Sequence, residues 1–178
     1  MDNPVRSSVS YAEAIATSPR LTAASVFPEV NRTLFDGRLP GCTICNDNLN
    51  NRNHLGQAVF SSPPRIVLNV ETFSFRSYEG VMSTFVHELC HVYEYLYGPK
   101  GAYHLHTPYW TALMEARGLM PSHTGAPGGR ENGEQMTHYV IRGGRFEALV
   151  RKLLEPPPQV ITRTFAPVLE RRFQQTVP

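Results

Sequence analysis

The spacing of apolar residues predicts helices on either side of a short group of strands. Residues 22–36 carry apolar positions at helical spacing, with Pro28 as an irregularity. Three runs of strand composition follow, separated by Asn-rich and Pro-rich turn material, at 42–46, 54–60 and 65–70. Because short connections favour antiparallel pairing, we expect a small antiparallel three-stranded sheet packed on the N-terminal helix.

A long helix is predicted next, over about Tyr78–Tyr97. Ser77 is a suitable N-cap for this helix, and Gly98-Pro99 ends it. The segment is apolar on nearly every side, which is typical of a helix buried in the middle of a domain. We therefore expect it to be the central element of the fold.

The C-terminal part of the chain has weaker signals. Thr107-Pro108 predicts the start of a helix that Gly118 closes. A loop, a strand and a further helix are expected after it, at 121–135, 136–141 and 145–155. The predicted organisation is a polar N-terminal segment, a core, an extension packed on the core, and a Pro-rich boundary with a tail, at 1–20, 21–120, 121–155 and 156–178.

Composition restricts the class of protein. The chain has 178 residues, of which 41% are hydrophobic and 18% charged, as expected for one soluble globular domain. The net charge of +2 gives no basic footprint from which nucleic-acid binding follows. We expect no signal peptide and no membrane span, since no stretch approaches about 20 apolar residues. Three cysteines, an odd number, fit a reducing compartment, so we expect a cytoplasmic protein.

The candidate chemistry lies in the long helix, where the chain reads His87-Glu88-Leu89-Cys90-His91. Residues four apart lie one turn apart on nearly the same helix face, so the two imidazoles can bind one ion. The intervening glutamate then lies beside the ion, which is the metalloprotease pattern of two zinc ligands and a general base. A metal also satisfies polar groups that are costly to bury without partners.

A hydrolytic zinc site needs a third protein ligand and one open position. The candidates are His104, His106, Glu115, His123 and His138. His106 is the best placed, because it directly precedes the N-cap of a helix that would pack on the motif helix. His104 and Glu115 remain alternatives to it. Candidate donors to a tetrahedral intermediate are Tyr97, Tyr103, His138 and Tyr139.

Several stretches together resemble one known family. His106 lies fifteen residues after His91 and is followed by an aromatic residue in "HTPYW", while "VNRTLFDGRLP", "LGQAVF" and "IVLN" precede the motif helix. The combination resembles the Spartan-related SprT-like zinc metalloproteases over roughly residues 25–120. The chain departs from many members in having no cysteine between Cys90 and residue 178, so we expect a protease domain without the C-terminal zinc ribbon of paired cysteines.

The resemblance implies an α+β, zincin-like minimal metalloprotease. It implies Zn²⁺ held by His87, His91 and His106, with Glu88 as the catalytic residue. The expected reaction is hydrolysis of peptide bonds in a protein or peptide substrate, with possible association with DNA. The alternative is a catalytically silent, zinc-stabilised binding or adaptor module associated with nucleic acid.

Overall fold

A computed structural model describes residues 9–101 and 106–156 of the chain. Predictions that fall on His104, Tyr103 and the tail from 157 onward therefore lie outside the described residues. The described helices are α1 (Tyr11–Thr17), α2 (Ala23–Leu34), α3 (Tyr78–Tyr97), α4 (Pro108–Ala116) and α5 (Arg145–Leu154). The described strands are β1 (Thr43–Asp47), β2 (Gly56–Val59), β3 (Arg65–Asn69), β4 (Leu119–Ser122) and β5 (Thr137–Val140). The α+β class is thus confirmed.

The three-stranded sheet has the order β1-β3-β2, with β3 in the middle. β2 pairs with β3 in antiparallel fashion, as expected for strands joined by a short turn. β1, however, runs parallel to β3. The prediction of an all-antiparallel sheet was therefore wrong, because the segment between β1 and β2 is long enough to cross the end of β3.

Asn69 holds this crossing segment in place at the end of β3. Its side chain is fully buried, and its Nδ2 donates to the carbonyls of Asn51 and His54 at 3.0 and 2.9 Å. A buried amide that satisfies two loop carbonyls stabilises the connection against fraying. β3 can therefore occupy the centre of the sheet, where four of its five residues are buried.

α3 is the central element of the fold and has the bounds that the sequence predicts. It packs against β2, β3, α1, α4 and α5, and its first 17 residues are buried apart from Glu79 and Gly80. The predicted cap is also confirmed, since the Ser77 side chain accepts a hydrogen bond from the Gly80 N–H at 3.0 Å. Two flanking helices, α2 and α5, pack on each other beside it.

A second, two-stranded sheet is formed by β4 and β5 beyond α4. The predicted loop at 121–135 therefore begins later than expected, because Pro121 and Ser122 belong to β4. Pro121 is tolerated there, since a strand with an unpaired edge does not need every N–H as a donor. Among the described residues, no helix combines the length and the apolar character that crossing a membrane requires.

Candidate metal centre

The two motif histidines lie on one buried face of α3. His87 and His91 are one turn apart, and their ring centroids are separated by 5.1 Å. Only 8% and 7% of their surfaces are exposed. An uninterrupted, capped helix therefore directs both imidazoles toward the same region.

His106 completes a cluster of three imidazoles. Its Nε2 lies 3.3 Å from Nε2 of His87, and its ring centroid lies 4.9 Å from that of His91. One ring nitrogen from each histidine can be chosen so that all three lie within 4.8 Å of one another. These three side chains can therefore hold a metal ion.

The backbone of a later segment orients His106. Nδ1 of His106 lies 2.8 Å from the carbonyl oxygen of Gly133, and the Gly133 N–H donates to the His106 carbonyl at 3.1 Å. Because a carbonyl can only accept, Nδ1 of His106 carries the proton and Nε2 keeps its lone pair. Gly133 adopts φ +121°, a conformation that side chains with a Cβ rarely adopt, so glycine suits this contact.

Glu94 anchors the start of α4, next to His106. Its Oε1 accepts a hydrogen bond from Oγ1 of Thr107, and this Oγ1 accepts in turn from the Trp110 N–H at 3.1 Å. Glu94 is only 2% exposed. Burial raises its pKa, while the hydrogen bond from Thr107 acts in the opposite direction. The hydrogen bond between Glu94 and Thr107 thereby joins α3 to the start of α4, next to His106.

Trp110 packs against all three imidazoles. It is fully buried, and its ring stacks on His91 with a centroid distance of 5.1 Å and an interplanar angle of 20°. Its edge-on contacts to His87 and His106 have centroid distances of 4.7 and 4.5 Å. This rigid apolar surface limits the orientations that the three rings can adopt.

Glu88 lies between the histidine cluster and β2. It is 7% exposed, and its carboxylate accepts a hydrogen bond from the backbone N–H of Ala58. Burial raises its pKa to about 8, although the Ala58 contact opposes the shift. β2 approaches closely because Gly56 has no side chain: a Cβ there would lie 2.8 Å from Cγ2 of Thr84 and 3.2 Å from Cγ of Glu88. In the metal-free protein this carboxyl group is therefore mostly protonated at pH 7. A cation bound by the neighbouring imidazoles would favour the carboxylate form that a general base requires.

Two of the three clustered imidazoles, His87 and His106, favour the neutral form that binds a metal ion. Burial lowers the pKa of His87 well below its usual value, and neighbouring histidines lower it further. Burial also lowers the pKa of His106. Neutral imidazoles are the form that binds metal, and three of them with a nearby carboxylate are typical of zinc sites.

The cluster opens onto a cleft of about 770 Å³. β2 and the segment leading into it line this cleft, and so do residues 134–138. Thr84, His87, Glu88 and His91 of α3 line it as well. A ligand in this cleft would therefore lie next to both the imidazoles and the buried carboxylate.

Two of the other candidate ligands, Glu115 and His123, lie outside the histidine cluster. Glu115 is exposed on α4, and Nδ1 of His123 accepts a hydrogen bond from the Arg130 N–H at 2.8 Å. Neither belongs to the possible metal-binding group found among the described residues. His104 lies outside those residues. His138 lines the cleft and contacts the cluster from the side, with its Nδ1 at 3.3 Å from Nδ1 of His87.

Of the candidate donors to a reaction intermediate, His138 borders the cleft. The Tyr97 hydroxyl instead donates to the Arg38 carbonyl at 2.6 Å, and Tyr139 lines a neighbouring cleft. Tyr103 lies outside the described residues. The supporting contacts from Gly133 and Glu94 were not predicted, because a backbone carbonyl carries no sequence signal and an isolated glutamate carries little.

Two comparisons with known proteins complete the description of the site. A family model described as the SprT-like family matches residues 23–127, which include all three histidines of the cluster and Glu88. A comparison with curated proteins finds no match.

Proposed function

This chain belongs to the SprT-like family, and on that premise we propose that it is a zinc-dependent metallopeptidase with a zincin-like fold. The SprT-like family is generally linked to metalloprotease activity. In this proposal His87, His91 and His106 hold Zn²⁺ and Glu88 transfers the proton. The strongest support is the grouping of three imidazole nitrogens within 4.8 Å beside a buried carboxyl group in an open cleft.

Zinc in this site would supply Lewis-acid chemistry, by making water more acidic and by polarising the scissile carbonyl. Glu88 accepts the proton of the attacking water as the new C–O bond forms. The same carboxyl group then donates this proton to the leaving amine as the C–N bond breaks. Trp110 and Gly133 keep the three rings in position throughout the reaction.

The substrate is proposed to bind as an extended peptide along β2. β2 is an edge strand of the described sheet, and it lines the cleft. A peptide added to such an edge is held mainly through its backbone, so many sequences are accepted. The close approach at Gly56 and Ala58 brings this edge directly beside Glu88.

The test is Glu88→Gln, measured for zinc content and for cleavage of casein by the full chain. Glutamine keeps the shape of the side chain and an acceptor for the Ala58 N–H, but it cannot accept the proton. We expect about one zinc per chain and a fall in cleavage of roughly 10²- to 10⁴-fold. The control is Glu115→Gln, which removes an exposed carboxylate of α4 and should leave both quantities unchanged.

Cleavage by Glu88→Gln at the parent rate would refute the role proposed for Glu88. Absence of zinc from the parent protein would refute the metal site itself. Zinc without cleavage would favour the alternative of a silent, zinc-stabilised module. All assays are run with and without single-stranded DNA, because the resemblance to the family implies association with DNA, and stimulation of cleavage by DNA would support it.

A further inference from the structure

His138 contacts the side of His87 that faces away from the histidine cluster. It lies on β5, beyond residue 127, where the family match ends. The Nδ1 atoms of the two rings are 3.3 Å apart, and the ring centroids are separated by 5.3 Å. His87 thus has a neighbour at each of its two nitrogens, since its Nε2 faces Nε2 of His106.

The positions of the protons follow from this arrangement. A neutral imidazole carries one proton, so a His87 ring that offers the Nε2 lone pair to a metal must carry its proton on Nδ1. Nδ1 of His138 is within hydrogen-bond distance of that proton. If Nδ1 of His138 accepts a hydrogen bond from the His87 Nδ1–H, a neutral His138 must carry its own proton on Nε2. His106 follows the same rule, with the Gly133 carbonyl as its acceptor.

The surroundings of His138 favour the neutral ring that this hydrogen bond needs. Arg76 and His138 line the same neighbouring cleft, so a positive charge already lies near this ring. Arg76 is itself fixed near α3, where its Nη2 donates to Oγ1 of Thr84 at 3.0 Å. A neutral His138 retains a lone pair for the His87 proton, whereas an imidazolium ion has none.

We propose that His138 is a positioning residue for the metal, whose Nδ1 accepts the His87 Nδ1–H and so holds the His87 Nε2 toward the ion. The inference rests on the proposed metal site and extends it to a residue outside the family match. Partners of this kind fix the ring orientation and the tautomer of a ligand, and losing one typically weakens metal binding by about 10- to 100-fold.

The experiment compares His138→Leu with His138→Asn in the full chain. Leucine removes the acceptor, while asparagine places an amide oxygen close to the position of Nδ1. Zinc dissociation constants are measured by competition with a chromophoric chelator, starting from metal-free protein. The control is His54→Leu, which removes an exposed histidine of the same cleft that lies outside the metal cluster. Urea unfolding of each metal-free variant checks that the fold is retained.

We expect His138→Leu to bind zinc about 10- to 100-fold more weakly, with His138→Asn within a few-fold of the parent and the control unchanged. Equal affinities for the parent and His138→Leu would overturn the inference while leaving the proposed function intact. Equal weakening by leucine and asparagine would also overturn it. A parent that binds no zinc would instead refute the proposed function.

The tautomer of His138 provides an independent measurement. In zinc-loaded parent protein, two-bond ¹H–¹⁵N spectra of the imidazoles should show His138 as the neutral ring protonated on Nε2. They should also show His87 protonated on Nδ1. A proton on Nδ1 of His138 would contradict the proposed hydrogen bond even if zinc affinity fell in the leucine variant.

Discussion

Replacing Thr107 with valine should destabilise the fold and weaken the metal site together. Valine has nearly the shape of threonine but lacks the hydroxyl that links Glu94 to the start of α4. The substitution removes the N-cap of α4 and leaves a buried carboxyl group without that donor. Since His106 directly precedes Thr107, the change also loosens the position of the His106 ring, which is a proposed metal ligand.

The expected magnitude has two parts. Loss of an N-cap hydroxyl costs about 1 kcal/mol. The Glu94 side chain is only 2% exposed, so its carboxylate oxygen cannot readily replace the lost Thr107 donor with water. This unpaired oxygen adds about 1 to 3 kcal/mol to the loss of stability. The free energy of unfolding should therefore fall by roughly 2 to 4 kcal/mol. The loss should grow as pH rises, because the Thr107 hydrogen bond lowers the pKa of Glu94 and so favours its charged form.

The assay is urea unfolding of the metal-free protein, followed by zinc competition. Thr107→Ser keeps the hydroxyl and should remain close to the parent in both measurements. Adding Glu94→Leu to the valine variant should recover part of the stability, since neither partner is then left buried alone. Equal stability of the serine and valine variants would refute the role assigned to this contact.

Three further predictions concern β2, a surface ion pair and the metal. Gly56→Ala should cost about 1 to 3 kcal/mol in urea unfolding, because its Cβ meets Cγ2 of Thr84; adding Thr84→Ser should relieve the clash. Arg32 and Lys152 hold the pKa of Glu29 at about 2, so Glu29→Gln should lower stability by at most about 1 kcal/mol at pH 7. This difference should fade as pH falls from the usual carboxyl range toward 2. Removing zinc present at 1,000 times its dissociation constant should lower Tm by about 8 to 16 °C in calorimetry.

The parts of the fold that could be predicted from sequence are those with local causes. The bounds of α3 follow from its apolar run, from Ser77 at its start and from Gly98 at its end. The cap at Thr107 and the proline after it likewise define α4. The spacing of His87 and His91 on one helix face has the same local origin, which is why a single stretch of sequence indicates half of the site.

The pairing of β1 with β3 could not be predicted in the same way. Parallel and antiparallel neighbours have the same strand composition, and the choice depends on the path of the segment that joins β1 to β2. That path is fixed by Asn69, whose amide meets two carbonyls at least 15 positions away. An asparagine at the end of a strand carries no sequence signal for such contacts, because it is common in ordinary turns.

The same distinction between local and distant causes divides the metal centre itself. The three histidines of the proposed metal site lie within and just after α3, whereas the orientation of two of them depends on a segment that follows the family match. Gly133 fixes the proton of His106, and His138 contacts the outer nitrogen of His87. Two of the three imidazoles are therefore supported by the segment that contributes residues 134–138 to the lining of the cleft. A substrate that pressed on this segment would act on the orientation of both rings, so the geometry of the proposed metal site should depend on the shape of the cleft.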